Sequence, residues 1–187
     1  MGDKGSANRE RIVEAANTLF YQRGYNQTSF SDIAEASGLP RGNFYYYFKS
    51  KDDILVAVIE HRMAGIRAML AEWEQAFPDP HARLKRFVQM LRNSATDVER
   101  YGCPIGSLNV ELSKTQLQLQ SKAGAMLELF RSWLTEQIAA LGHADAHTKA
   151  LHLLAVAQGI SLVTNVYRDQ AFLDREAAGL DAWVDAL

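Results

Sequence analysis

Few residues in this sequence combine a reactive type with a suggestive spacing, and each group points to a different chemistry. Cys103 is the single cysteine. A lone thiol acts as a nucleophile when a base activates it, and His147 and His152 stand downstream, but no surrounding motif supports an enzyme. His143 and His147 have the four-residue spacing of two metal ligands on one helix face. Gly142 and Asp145 put them instead across a loop and a helix start with no third ligand nearby, so no metal and no cofactor are expected. Gln158, Ser161 and Asn165 stand at i, i+3 and i+7, one polar stripe along an otherwise apolar helix. Buried polar groups need partners, and a small molecule, water or a second subunit would supply them. Trp73, Phe77, Met126, Phe130 and Trp133 are large enough to wall an apolar pocket, although such residues more often fill ordinary core.

Composition limits the classes these groups can belong to. With 48% hydrophobic and 22% charged residues in 187, the chain has the make-up of a folded protein rather than a disordered one. The formal net charge of −2 excludes a uniformly basic nucleic-acid binder. Up to Lys51, however, there are 7 basic and 5 acidic residues, against 13 and 17 beyond it. A mildly positive start permits DNA binding at one end, through a local patch. One cysteine forbids an internal disulfide and the common zinc frameworks, which suits a reducing compartment. The opening MGDKGSANRER has no apolar run that would serve as a secretory signal, so a cytoplasmic location is expected. Met1 to Ser6 matches a short myristoylation pattern, but residues 1–7 read better as a disordered polar leader.

The elements that must position these residues are helical, because apolar residues recur at three and four rather than two. Ile12, Val13, Ala16, Leu19 and Phe20 form one buried face, ended by Gly24. Ser29 opens a short helix with Asp32 three residues on, a capping arrangement. Ser37-Gly38-Leu39 breaks it, and Pro40 is expected at the first position of a third helix over 40–47. Ser50 is expected to cap a long helix running to Phe77, about 26 residues and ~39 Å, stopped by Pro78 and Pro80. A fifth helix is marked by Leu84, Phe87, Val88, Leu91, Ala95 and Val98, and a sixth by residues 105–112. Three more follow at about 116–141, 146–169 and 173–186. The run from Ala150 to Tyr167 contains no Asp, Glu, Lys or Arg, as a membrane span would. His152, Gln158, Ser161, Thr164 and Asn165 interrupt it, so a helix buried by its own domain and a second subunit is expected, and no membrane. The expected fold is all-α with about nine helices.

Two short helices joined by a glycine-containing turn and braced by an amphipathic helix are what the DNA major groove accepts. Thr28 to Leu55, TSFSDIAEASGLPRGNFYYYFKSKDDIL, resembles the DNA-binding domain of the TetR/AcrR family of helix-turn-helix regulators. The shared features are Thr/Ser, Asp-Ile-Ala, Ala-x-Gly and Gly-x-x-Tyr-x-x-Phe-x-x-Lys. The resemblance implies that Arg41, Gly42 and Asn43 begin the recognition helix. There Arg41 would grip a guanine bidentately, Asn43 would pair with an adenine, and Gly42 would let the backbone approach. It places Tyr45, Tyr47 and Lys51 at phosphates or the groove wall, and Ser29 and Ser31 as contacts from the bracing helix. Phe44 and Phe48 would fill the small core, and Tyr46 is left undecided. Pro40 departs from the family's small capping residue, so the recognition helix should lack a side-chain cap.

The resemblance further implies three segments, 1–7 as leader, 8–52 as the DNA-binding domain and 53–187 as a ligand-binding and dimerisation domain. The expected function is a ligand-responsive repressor that binds palindromic double-stranded operator DNA as a homodimer and is released by a small-molecule effector. Pairing is expected through the low-charge helix 150–167, with Gly159 allowing close approach, and through Leu180, Trp183, Val184 and Leu187. The effector candidates are Trp73, Phe77, Cys103, Met126, Phe130, Gln158, Ser161 and Asn165. Cys103 lies in GCPIGSLNVELS, a segment similar to one in a subset of these regulators, beside an expected helix start. The alternative is therefore a redox- or electrophile-sensing repressor acting through Cys103.

Overall fold

The computed structural model describes residues 3–187, the side chains of Asp3, Lys4, Arg41 and Asn43 excepted. Among these residues there are ten helices: α1 Asp3–Arg23, α2 Phe30–Ser37, α3 Arg41–Tyr47, α4 Lys51–Ala76, α5 Pro80–Asn93, α6 Ala95–Tyr101, α7 Gly106–Leu112, α8 Leu117–Ala140, α9 Ala146–Tyr167 and α10 Gln170–Asp185. The all-α expectation is met, with one helix more than anticipated. The fifth helix divides at Ser94, whose hydroxyl and amide both donate to the Met90 carbonyl, at 2.9 and 3.1 Å. Residues 3–7, expected as leader, already belong to α1.

The ends of the helices follow local chemistry. Gly24 and Gly38 take φ of +87° and +65°, the left-handed turn that closes α1 and α2. Pro40 sits one position earlier than expected, at the N-cap of α3 rather than inside it, and it supplies no side-chain cap. Ser50 caps α4 by accepting from the Asp53 amide at 3.1 Å, while the Asp53 carboxylate accepts from the Ser50 amide at 3.0 Å. α10 begins three residues before its expected start because the Asp169 carboxylate accepts from the Phe172 amide at 2.9 Å.

The chain forms two compact units, Met1–Ala64 with Ser107–Met126, and Gly65–Gly106 with Leu127–Leu187. The first contains α1 to α3, the helix-turn-helix head, and reaches beyond the sequence division at 52. The three helices α1 to α3 cannot bury their own apolar faces, and Ile54, Leu55 and Val58 of α4 complete the core around Ile12, Ala16, Ile33 and Phe44, all fully buried. The second unit has its own core, built on Leu84, Val88, Leu134, Ile138, Leu153, Leu173 and Val184. α9 is long and apolar enough to cross a membrane by length and composition. In this fold its face with Leu153, Ala157, Ile160 and Thr164 is core, while Leu151, Leu162 and Val166 face out.

Candidate nucleic-acid interface and effector cavity

α2 and α3 are held as a unit by aromatic packing. Phe44 is buried and meets Phe30 edge-on at 4.7 Å, and Tyr45 stacks on Phe30 at 5.1 Å. Phe48 is buried as well. The Arg11 guanidinium donates to the Ser37 carbonyl at 2.7 Å, tying the end of α2 back to α1. Among the described side chains of α3, Gly42, Tyr45 at 60% exposure and Tyr46 at 71% remain outward. Tyr46, undecided from sequence, is thus the most exposed aromatic of this helix. A Cβ at Gly42 would meet nothing within 4 Å, so nothing inside the protein requires glycine there. Arg41 and Asn43 occupy the first turn of α3, and their side chains lie outside the described residues.

The remaining predicted DNA contacts divide. Ser31 is exposed. Ser29 is also exposed, but its hydroxyl caps α2 by accepting from the Asp32 amide at 3.1 Å. Hydrogen bonds from the Ser29 side chain, then its backbone, hold the Asp32 carboxyl below the usual carboxylate range. Tyr47 is half-buried, its hydroxyl accepting from the Asn8 carboxamide at 3.3 Å. Lys51, expected at a phosphate, is engaged internally. Its ammonium donates to the Tyr25 carbonyl at 2.8 Å and the Thr28 carbonyl at 3.0 Å, and stands 4.2 Å from the Tyr25 ring centroid. The Tyr25 hydroxyl donates to the Asp52 carboxylate, and burial followed by that bond pushes the phenol well above its ordinary pKa.

A second internal clasp on the same turn was not foreseen. The Glu111 carboxylate of α7 accepts from the Tyr25 amide at 3.0 Å and the Asn26 amide at 2.7 Å. Glu111 follows Tyr25 by 86 positions, and nothing in its local pattern marks it.

The second unit contains a cavity of about 370 Å³. It is lined by Gly65, Ile66 and Met69 of α4, Phe87, Met90 and Leu91 of α5, Ser94, Val98 of α6, the loop Cys103-Pro104-Ile105, Leu127 and Phe130 of α8, and Leu154, Ala157, Gln158 and Ser161 of α9. Four effector candidates therefore converge, Cys103, Phe130, Gln158 and Ser161. The Cys103 thiol accepts from the Gly106 amide at 3.4 Å. The Ser161 hydroxyl donates to the Ala157 carbonyl at 2.9 Å. A Cβ at Gly106 would overlap the Gln158 carboxamide oxygen, which makes glycine necessary there while Gln158 keeps this rotamer.

The other four candidates stand elsewhere. Asn165, one turn beyond Ser161, donates to the carbonyls of Val98 and Glu99 at 3.3 and 3.0 Å and so closes the end of α6. Trp73 meets Trp133 edge-on at 5.7 Å, and the Trp133 indole donates to the Glu74 carboxylate at 2.9 Å. Phe77 and Trp73 both lie under the Arg86 guanidinium. Met126 is buried in the first unit. Size and apolarity suggested these residues, but both properties serve core packing equally well. Two residues expected at a subunit interface, Leu180 and Val184, are core as well. His143 and His147 are engaged separately, by Lys149 and Arg131, and the described residues hold no group of three His, Cys, Asp or Glu fit for a metal.

This architecture has close counterparts. The family model for bacterial regulatory proteins of the tetR family matches residues 12–58, and the model for the C-terminal domain of LmrA/YxaF-like transcriptional regulators matches residues 80–178. An HTH-type transcriptional regulator from the lacX 3′ region of Lactococcus lactis subsp. lactis is 29% identical, over 89% of this chain and 87% of its own. The HTH-type transcriptional regulator LmrA of Bacillus subtilis is 28% identical, over 75% of this chain and 76% of its own. The crystal structure of a TetR transcriptional regulator from Legionella pneumophila aligns with a TM-score of 0.83 at 26% identity, covering 95% of each chain. The two matched models together take in the reading head and most of the second unit, and the protein belongs to the tetR family of bacterial transcriptional regulators, with an LmrA/YxaF-like C-terminal domain.

Proposed function

We propose that this regulator is a repressor that binds a palindromic operator as a homodimer in the cytoplasm and releases it when a small molecule occupies the cavity of the second unit. The observation that carries the DNA reading is the outward face of α3, where Gly42 is open and Tyr45 and Tyr46 are exposed, while Phe44 and, at the C-cap, Phe48 are buried in the core. Arg41 and Asn43, by position at the start of α3, are the proposed base readers, with Ser31, Tyr45 and Tyr46 at the backbone or groove wall. Dimerisation is supported by the outward stripe of α9, where exposed Leu151, Leu162 and Val166 flank Ala155 and Gly159. Covering that stripe with a second copy removes the need for a membrane. Two-fold symmetry would set two recognition helices about 34 to 36 Å apart and require a palindromic site.

Release works through populations: a ligand that binds one conformation better withdraws protein from the DNA-binding one. α4, whose residues belong to both units, is the proposed lever. Selection from a random duplex library tests the proposal. A palindromic site should emerge, Arg41→Ala should lose or relax its selection, and Gly42→Ala should weaken binding without loss of helicity. Equal affinity of the unmodified protein for selected and random duplexes, compared at fixed salt, refutes it. A second reading, sensing of an oxidant or electrophile at Cys103, is favoured by the thiol lining the same cavity. Cys103→Ser decides between them, since only this second reading requires the thiol for release.

A further inference from the structure

We propose that the cavity takes an uncharged, mostly apolar molecule of about a dozen non-hydrogen atoms, bearing one hydroxyl or carbonyl that pairs with the Gln158 carboxamide. The proposal deepens the effector reading and rests on it for its biological meaning, though not for its test.

Size comes first. A cavity of about 370 Å³ holds the equivalent of about twelve waters at ~30 Å³ each, near the small end of ligand pockets. The wall chemistry then excludes charge. Among the described lining residues there is no carboxylate, ammonium, guanidinium or imidazole, and only Cys103 carries a titratable group. An ion placed there would give up part of its hydration without gaining a counter-charge. Phe87 and Phe130 meet edge-on at 5.7 Å on this wall, with the pliable side chains of Met69 and Met90 beside them. Aromatic edges and thioethers accommodate a flat apolar body.

One polar side chain on this wall keeps both its donors and its acceptor for recognition. Ser94 and Ser161 both spend their hydroxyl protons on carbonyls of their own helices, at 2.9 Å each. Cys103 already accepts the Gly106 amide. Gln158 lines the same space, and its carboxamide, which offers both donors and an acceptor, makes no hydrogen bond among the described residues. A hydroxyl or carbonyl on the ligand would satisfy it; an apolar ligand would leave it unpaired.

Calorimetric titration of the full chain, without DNA, with four probes of one shape decides the matter: naphthol, methylnaphthalene, naphthoate and naphthylmethylammonium at neutral pH. Naphthol should bind most tightly, methylnaphthalene about fivefold more weakly, and both ions at least about a hundredfold more weakly. Gln158→Leu should abolish naphthol's advantage, weakening naphthol and leaving methylnaphthalene bound at least as tightly as before, since no carboxamide is then left unpaired. Leu154→Trp, which fills the cavity, should abolish binding of both neutral probes. The proposal is overturned if either ion binds within tenfold of naphthol, if the two neutral probes are indistinguishable, if neither binds, or if binding survives Leu154→Trp. Naphthol binding with no release of selected operator would leave the ligand class standing and refute only the effector reading.

Discussion

Lys51→Met is expected to loosen the reading head while leaving its charge interaction with DNA unaltered. The lysine ammonium donates to two carbonyls on the turn between α1 and α2, at 2.8 and 3.0 Å, and rests on the Tyr25 ring. Hydrogen bonds from a charged donor contribute about 1.5 to 3 kcal/mol each, and an accessible cation–π contact about 0.5 to 1. Methionine keeps the packing of the stem, and Lys51 is only half-buried, so water recovers part of both carbonyls. The net loss is therefore about 2 kcal/mol, or about thirtyfold in an opening equilibrium. Trp73, Trp133 and Trp183 all lie in the second unit, so tryptophan fluorescence does not report on this change. Amide hydrogen exchange does. The Thr28 amide, which donates to the Tyr25 carbonyl at 3.3 Å, and the amides of α2 should exchange about thirtyfold faster. The salt dependence of binding to a random duplex should not change. Unaltered protection, or a slope reduced by about one as for a lost phosphate contact, would refute the internal role of Lys51.

Glu111→Ala removes the acceptor of both the Tyr25 and Asn26 amides, and their exchange protection should fall by about 1 to 3 kcal/mol. Glu111→Gln, which keeps one carbonyl acceptor, should lose about half as much, and equal protection in all three proteins would show that the clasp contributes nothing. Asp32 gives the head a dependence on acid. Its carboxyl is depressed by Ser29, so its stabilisation is fully present above the ordinary carboxylate value and disappears as pH falls through the depressed one. The stability gap between the unmodified protein and Asp32→Ala should therefore narrow as pH is lowered from neutral, and a gap independent of pH counts against this linkage.

Period and punctuation are local properties of a chain, and they were legible. Ser29 with Asp32, Ser50 with Asp53, the glycines at 24 and 38 and the prolines at 78 and 80 all act within a turn of their own position. The helix-turn-helix was readable for the same reason, since its aromatic spacing, Phe44 and Phe48 inward with Tyr45 outward, repeats with the helix itself. Which residues face a cavity depends on partners remote in sequence. Trp73, Phe130 and Gln158 were comparable candidates until packing put the first against Trp133 and the other two beside the space between α5, α8 and α9. Lys51 carried its charge openly in the sequence, but only the folded turn offers it two carbonyls and a ring in place of a phosphate. Glu111 bears on a turn 86 positions earlier, where long-range closure, unlike helical period, leaves no trace in neighbouring residues. Residue types and short spacings thus specify the helices and the reading head, whereas the assignment of each polar group to a clasp, a cap or an open cavity depends on which unsatisfied atoms the fold brings within hydrogen-bonding distance.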